Sequence, residues 1–322
     1  MRLVFVMIAT VVAGCGGGGD EPRPDATAAV DAGVDAVVPD APPVLGALGD
    51  ACDVAGACAS GFCADGVCCD SACDGACAAC GSDGACAATT GDTCRAAAGG
   101  CDVAEVCDGA SQDCPTDGLA DIGTVCGDYV CTGAVDCPAA CTVVTDCAVG
   151  AACRAGTCAP VKWAFTTSTT INGNTGGLAG ADAFCQARAT AAGLPGTYMA
   201  WMATDAASPS TRFTRATVPY VMPAGNGVVV TLADDWADLT DGTIDAFFNR
   251  NELGAVVASN IPWTNVKANG TVYMAGGDCV AWTSTGSGQS GWSGYSDTPD
   301  QGWTQNTTTT CNILHRLFCF QQ

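Results

Sequence analysis

Histidine occurs once among 322 residues, as His315, and lysine and arginine together number 11 against 33 acidic residues. With one imidazole, little is available for histidine-based general-base catalysis or for zinc sites that mix cysteine and histidine. A formal net charge of −22 excludes a surface that tracks a phosphate backbone, so nucleic acid is not an expected partner. Long apolar runs are missing too: the longest, at residues 3–12, is too short to span a bilayer as a helix. Between residues 49 and 159 the only aromatic side chains are Phe62 and Tyr129, which excludes an ordinary hydrophobic core there.

Cysteine fills that segment instead, with 20 of the chain's 25 between Cys52 and Cys158. So many thiols point to an oxidising compartment, with bridges replacing a core at about 2–4 kcal/mol each. Their connectivity cannot be read from spacing. The triplet Cys52-x5-Cys58-x4-Cys63 recurs as Cys147-x5-Cys153-x4-Cys158, which suggests small repeated knots at both ends. Cys77-x2-Cys80 has zinc-knuckle spacing but no second pair at a set interval, so a metal is not expected. In the middle, Cys101, Asp102, Glu105, Cys107, Gly109, Ser111, Cys114, Pro115 and Asp117 form a pattern that resembles the loop region of disintegrin domains. The corresponding loop, Arg95 to Gly100, is mostly Ala and Gly here, so the resemblance implies a shared disulfide scaffold rather than receptor contact.

At the N-terminus, Arg2 and the short apolar run lead into Val12-Ala13-Gly14-Cys15, which resembles a bacterial lipobox. The resemblance implies a signal peptide at 1–14 and an acylated Cys15 anchored in a lipid bilayer. Gly16 in the next position implies the outer membrane, facing the periplasm or the cell surface. Residues 15–48, rich in Pro, Ala and regularly spaced Asp, lack the apolar surface to repay ordering and are expected to be a disordered acidic tether. A cysteine-rich domain at 49–159 follows.

The texture changes at residue 160. All seven tryptophans and four cysteines fall between there and residue 322. "KWAFTTS", "TYMAWMAT", "GVVVTL", "GDCVAWTS" and "HRLFCFQQ" have strand texture, and "GLAGADAFCQARATAAGLPG" has helical spacing through Leu178, Ala181, Phe184, Cys185 and Arg188. One helix, short strands and long loops indicate an α+β fold. Four cysteines allow three pairings.

"GDCVAW", Trp303 before the third cysteine, and the closing "RLFCF" are similar to strands of the C-type lectin-like fold. The stretch from Gly176 to Thr204 and the last eight residues more narrowly resemble endostatin-like domains of leptospiral and myxobacterial lipoproteins. The resemblance implies Cys185 paired with Cys319 and Cys279 with Cys311, in a lectin-like domain at 160–322. Calcium-dependent lectins of this fold use acidic and amide triplets before the second and third cysteines. Here the first triplet is absent and "WTQN" replaces the second, so no cofactor is expected and calcium is only a weak expectation. Its candidates are Asp234, Asp235, Asp238 and Asp241. For the ligand surface the candidates are Trp282, Trp292, Tyr295, Asp297, Asp300, Trp303, Gln305 and Asn306. The expected function is non-catalytic recognition of a glycan or protein ligand by an envelope lipoprotein. The rivals are a structural adhesion module and a carboxylate-dependent hydrolase of envelope polymers.

Overall fold

The computed structural model describes residues 43–257 and 259–322; Cys15, the expected signal at 1–14 and most of the expected tether lie outside the described residues. From Cys52 to Cys319 all 24 cysteines are paired, at Cα–Cα separations of 5.4 to 6.0 Å. Cys77 bonds Cys107 and Cys80 bonds Cys69, so the zinc-knuckle pair is divided between two bridges.

The repeated knots exist, but their register differs from the one expected from the triplet. A single 3-10 turn, Ala55–Ala57, precedes Cys58, and its counterpart Val144–Asp146 precedes Cys147. A hairpin follows each, Cys63–Ala64 with Val67–Cys68 and Ala151–Arg154 with Thr157–Pro160. Cys52 therefore corresponds to Cys141, Cys58 to Cys147, Cys63 to Cys153 and Cys68 to Cys158, and both knots join first to third and second to fourth. One inserted residue before Cys153 shifted the apparent match by a cysteine. Each hairpin closes on a two-residue turn with positive φ at both positions, Asp65-Gly66 and Ala155-Gly156. That geometry matches the right-handed twist of the flanking strands.

Between the knots, two-stranded ladders are tied by six bridges in place of a core. Arg95, the base of the disintegrin-like loop, is held by Glu105 at 3.2 Å and Asp117 at 3.0 Å. Glu105 is buried and also accepts from the Gly118 N–H at 2.8 Å. This part of the chain is a disulfide-rich region of small sheets, and the remainder mixes α and β elements.

From Lys162 onward we label β1 Lys162–Thr166, α1 Gly177–Ala191, β2 Tyr198–Ala200, β3 Tyr220–Pro223, β4 Val229–Ala233, β5 Ser290–Ser293, β6 Thr307–Thr310 and β7 Phe318–Gln321. A five-stranded sheet runs in the order β2-β7-β1-β3-β4, with β1 and β3 parallel and the other pairs antiparallel. Strand β7 thus lies between β1 and β2, and all four of its residues are buried. Alternation divides the core into two layers. Trp163, Phe165, Leu317 and Cys319 face one, with Ala181, Cys185 and Ala189 of α1; Ala164, Phe318 and Phe320 face the other, with Trp201, Trp236, Phe248 and Trp303. Cys185–Cys319 crosslinks α1 to β7, and Cys279–Cys311 closes the long loop region.

Sequence texture misassigned one element. "GDCVAWTS" does not form a strand: Cys279, Val280, Ala281 and Trp282 have φ of 51°, 60°, 53° and 61°, one turn of left-handed helix. The second knot, within the expected cysteine-rich domain at 49–159, shares a core with the residues that follow it. Ala152 is fully buried in the first core layer, and Val144 packs against it.

Candidate functional site

For L-residues the left-handed helical conformation costs roughly 1–2 kcal/mol each, and four in succession persist only where the surroundings impose them. Here the imposition is visible. Trp282 N–H donates to the Asp278 carbonyl at 2.6 Å, and Asp278 Oδ1 accepts from Ala281 N–H at 3.0 Å. Thr283 Oγ1 donates to the Val280 carbonyl at 2.6 Å. Below the turn, Cys279 is bonded to Cys311, and the buried Trp282 indole donates to the Ala203 carbonyl at 2.8 Å. Val280, 53 % exposed, is thereby held out into solvent.

Val280 and Ala281 line an open cleft of about 380 Å³ with Thr204, Asp205, Ala206, Gly276 and Asp278. Asp205 Oδ1 accepts from Gly276 N–H at 2.9 Å, which ties the two walls together. Next to it, a Cβ on Gly277 would lie 2.5 Å from Trp292 Cδ1, so only glycine lets the indole approach. Trp292 meets Tyr273 edge to face at 4.4 Å, both rings half-buried, with Met274 exposed alongside. Fully buried Asn265 fixes this ledge, since its side chain donates to the Met274 carbonyl at 3.0 Å and accepts from the Met274 N–H at 3.1 Å. A half-buried aromatic pair whose indole packs on Gly277, one residue along the chain from a cleft that holds a carboxylate, suits noncovalent recognition.

Of the candidate ligand residues, Trp282 and Trp303 are fully buried, so neither presents a face for stacking. Trp303 packs among Trp201, Phe248 and Phe318 at centroid distances of 5.1 to 6.1 Å. Asp297 accepts from Asn249 Nδ2 at 3.1 Å and Ser259 N–H at 2.6 Å, and Asp300 caps the turn Gln301–Trp303 through Gly302 N–H at 2.8 Å. Gln305 Nε2 donates to Gln301 at 2.9 Å, Tyr295 is half-buried and Asn306 is exposed. Tyr295, Asp297, Asp300, Trp303, Gln305 and Asn306 share the loop after β5, whereas Trp292 meets Tyr273 and Gly277, which the sequence did not single out.

The calcium candidates do turn-capping work. Asp235 caps helix Trp236–Leu239 by accepting from Asp238 N–H at 2.9 Å, and Asp238 accepts from Asp234 N–H at 2.7 Å. Asp241 accepts from Thr243 N–H at 2.9 Å, and Asp234 lies 3.4 Å from Arg154. Partial burial, followed by the charges of Asp238, Asp234 and Asp241, raises the carboxyl pKa of neighbouring Asp245. Among the described residues, the side-chain groupings close enough to hold a metal consist of cysteines, all in disulfides.

His315 is buried, makes a 2.8 Å contact with Thr309 Oγ1 through Nε2, and lies edge to face with Trp263 at 4.4 Å. Burial lowers its pKa to about 4. The unfolded chain, with an ordinary histidine pKa near 6.5, therefore binds the proton first as pH falls. Stability contributed by the neutral imidazole is full above about pH 6.5 and is lost as pH falls towards 4, by on the order of 2–3 kcal/mol. His315→Gln is expected to reduce the difference in unfolding free energy between pH 7 and pH 4.5; an unchanged difference would exclude His315 as its source.

No family model matches the chain. Over 35 residues it is 63 % identical to the disintegrin and metalloproteinase domain-containing protein unc-71 of Caenorhabditis elegans, a match covering 11 % of this chain and 3 % of that protein. The similarity is thus confined to a cysteine-rich, disintegrin-like stretch. No helix among the described residues is long and apolar enough to cross a membrane.

Proposed function

We propose that the chain is an outer-membrane lipoprotein, anchored through acylated Cys15, whose residues 160–322 form a C-type lectin-like head that binds a glycan or protein ligand without catalysis. The observation that carries this reading is the nested pair of bridges, Cys185–Cys319 around Cys279–Cys311, with β7 between β1 and β2. The Trp292–Tyr273 ledge and the adjoining cleft are the recognition surface, supported by their exposure and by the strained turn beside them. Calcium plays no part in it, because Asp235, Asp238 and Asp241 accept backbone N–H groups and Asp234 faces Arg154.

Glycan-array binding by the full mature chain, with and without chelator, tests the proposal. Binding is expected to be the same under both conditions. Trp292→Ala, which removes one stacking face, is expected to weaken it about 5- to 10-fold. Silence on every glycan with no protein ligand would leave a structural module; binding that disappears with chelator would refute the calcium-free surface.

The turn provides a separate check. Ala281→Gly removes the Cβ conflict at φ 53° on an exposed residue and is expected to stabilise the chain by about 0.5–1 kcal/mol in chemical denaturation. Destabilisation of that size would mean the turn carries no strain.

A further inference from the structure

One knot occurs twice, and its two copies are used differently. In the second copy the face made by Val143, Val144, Ala152 and Arg154 is pressed onto the head. Val144 N–H donates to the Gly227 carbonyl at 2.6 Å, and Ala152 is fully buried. Arg154 reaches Thr231 Oγ1 at 3.2 Å and Asp234 Oδ1 at 3.4 Å.

The paired turns and hairpins place Val54, Ala55, Phe62 and Ala64 at the same four positions of the first knot. Val54, Ala55 and Phe62 are exposed and Ala64 is partly buried. Val54 is 64 % and Phe62 40 % exposed, whereas Ala152, the counterpart of Phe62, has no accessible surface. The Ala55 N–H, counterpart of the one that meets Gly227, has no acceptor among the described residues. A protein that buries an apolar face at one copy of a module and leaves a bulkier apolar face open at the other has a surface suited to a partner.

Charge narrows the partner. In the second knot the base belongs to the knot and the acid to the head, as Arg154 and Asp234. In the first knot Ala64 replaces the arginine, exposed Asp53 and Asp65 adjoin Val54 and Ala64 in sequence, with the Asp65 carboxylate also accepting from Cys80 N–H at 2.9 Å, and residues 46–93 contain no lysine or arginine. A second copy of the chain would set these acids against its own.

We propose that the first knot is a protein-docking face whose partner presents what the head presents to the second knot, with the charge reversed. Such a partner has an apolar sheet edge, a turn carbonyl that accepts from Ala55 N–H, and a basic rim facing Asp53 and Asp65. The proposal goes beyond ligand recognition by the head, which is at the other end of the cysteine-rich region in sequence.

The head's own cradle serves as the probe. In the full chain, residues 141–158 are replaced by the sequence of residues 52–68 with Phe62→Ala, which keeps the fully buried site of Ala152 from being overpacked, together with Asp234→Lys to make the cradle basic. Once peptide mapping has shown the transplanted bridges, this chimera is expected to melt within about 5 °C of wild type by tryptophan fluorescence. A second chimera, carrying Val54→Asp and Phe62→Asp in the transplanted segment, is expected to melt at least about 10 °C lower. Equal melting of the two, or a head that stays unfolded although the bridges have formed, overturns the proposal. Sedimentation of the unaltered chain completes the test: a monomer supports the stated partner, and a dimer that Val54→Asp dissolves reassigns the face to a second copy and overturns it.

Discussion

Replacing Cys185 and Cys319 together by alanine is expected to destabilise residues 160–322 by about 5 kcal/mol, measured as unfolding free energy by tryptophan fluorescence in denaturant. The bridge spans 134 residues, and the chain entropy it removes from the unfolded state grows with the logarithm of that loop. The same relation gives about 3.7 kcal/mol for Cys279–Cys311, which spans 32 residues. Because native domains are stable by only about 5–15 kcal/mol, the first loss can exhaust the stability of the head while the second leaves it folded. A smaller cost for the outer bridge than for the inner one would refute the assignment of β7 as the strand that the outer bridge secures.

The second large effect is expected at Trp201. Its ring lies 5.1 Å from Trp303, 5.3 Å from Phe320, 5.8 Å from Phe213 and 6.0 Å from Trp236, and its indole donates to Thr304 Oγ1 at 2.7 Å. Trp201→Ala opens a cavity among aromatics that cannot collapse into it, at a cost of about 3–5 kcal/mol. Trp292→Ala, on a half-buried ring, is expected to cost less than about 1.5 kcal/mol in stability. Comparable losses at both sites, measured by the same denaturation, would mean that Trp292 belongs to the core and cannot be a recognition surface.

Strands β1, β2, β4 and β7 were legible because alternation of apolar side chains survives in "KWAFT", "YMA", "VVTLA" and "FCFQ". Helix α1 was legible from its three- and four-residue spacing. Strand β3 was not, since Pro219 and Pro223 bracket "YVM" and suggest a loop, although Lys162 N–H pairs with the Pro219 carbonyl at 2.8 Å. The β5–β6 hairpin was hidden by its serine, glycine and threonine content, a composition typical of loops. The left-handed turn could not be read at all, because Cys-Val-Ala-Trp has strand propensity and the tertiary bonds of Asp278, Trp282 and Cys279 override it. In the site, tryptophan marked aromatic content without marking exposure. Nothing local distinguishes buried Trp282 and Trp303 from Trp292, whose indole packs against Gly277, 15 residues earlier.

The position of β7 sets an order of events during folding. A polypeptide made N-terminus first presents β1 and β2 long before the strand that must lie between them, so β2 waits without a neighbour and β1 has only β3 to pair with. Cys185 emerges 134 residues ahead of its mate and spends that interval as a thiol beside the 20 cysteines of residues 52–158, which compete for it. Correct maturation therefore favours a disulfide-shuffling catalyst over a simple oxidant, because any premature bond to Cys185 has to be exchanged before the sheet can close.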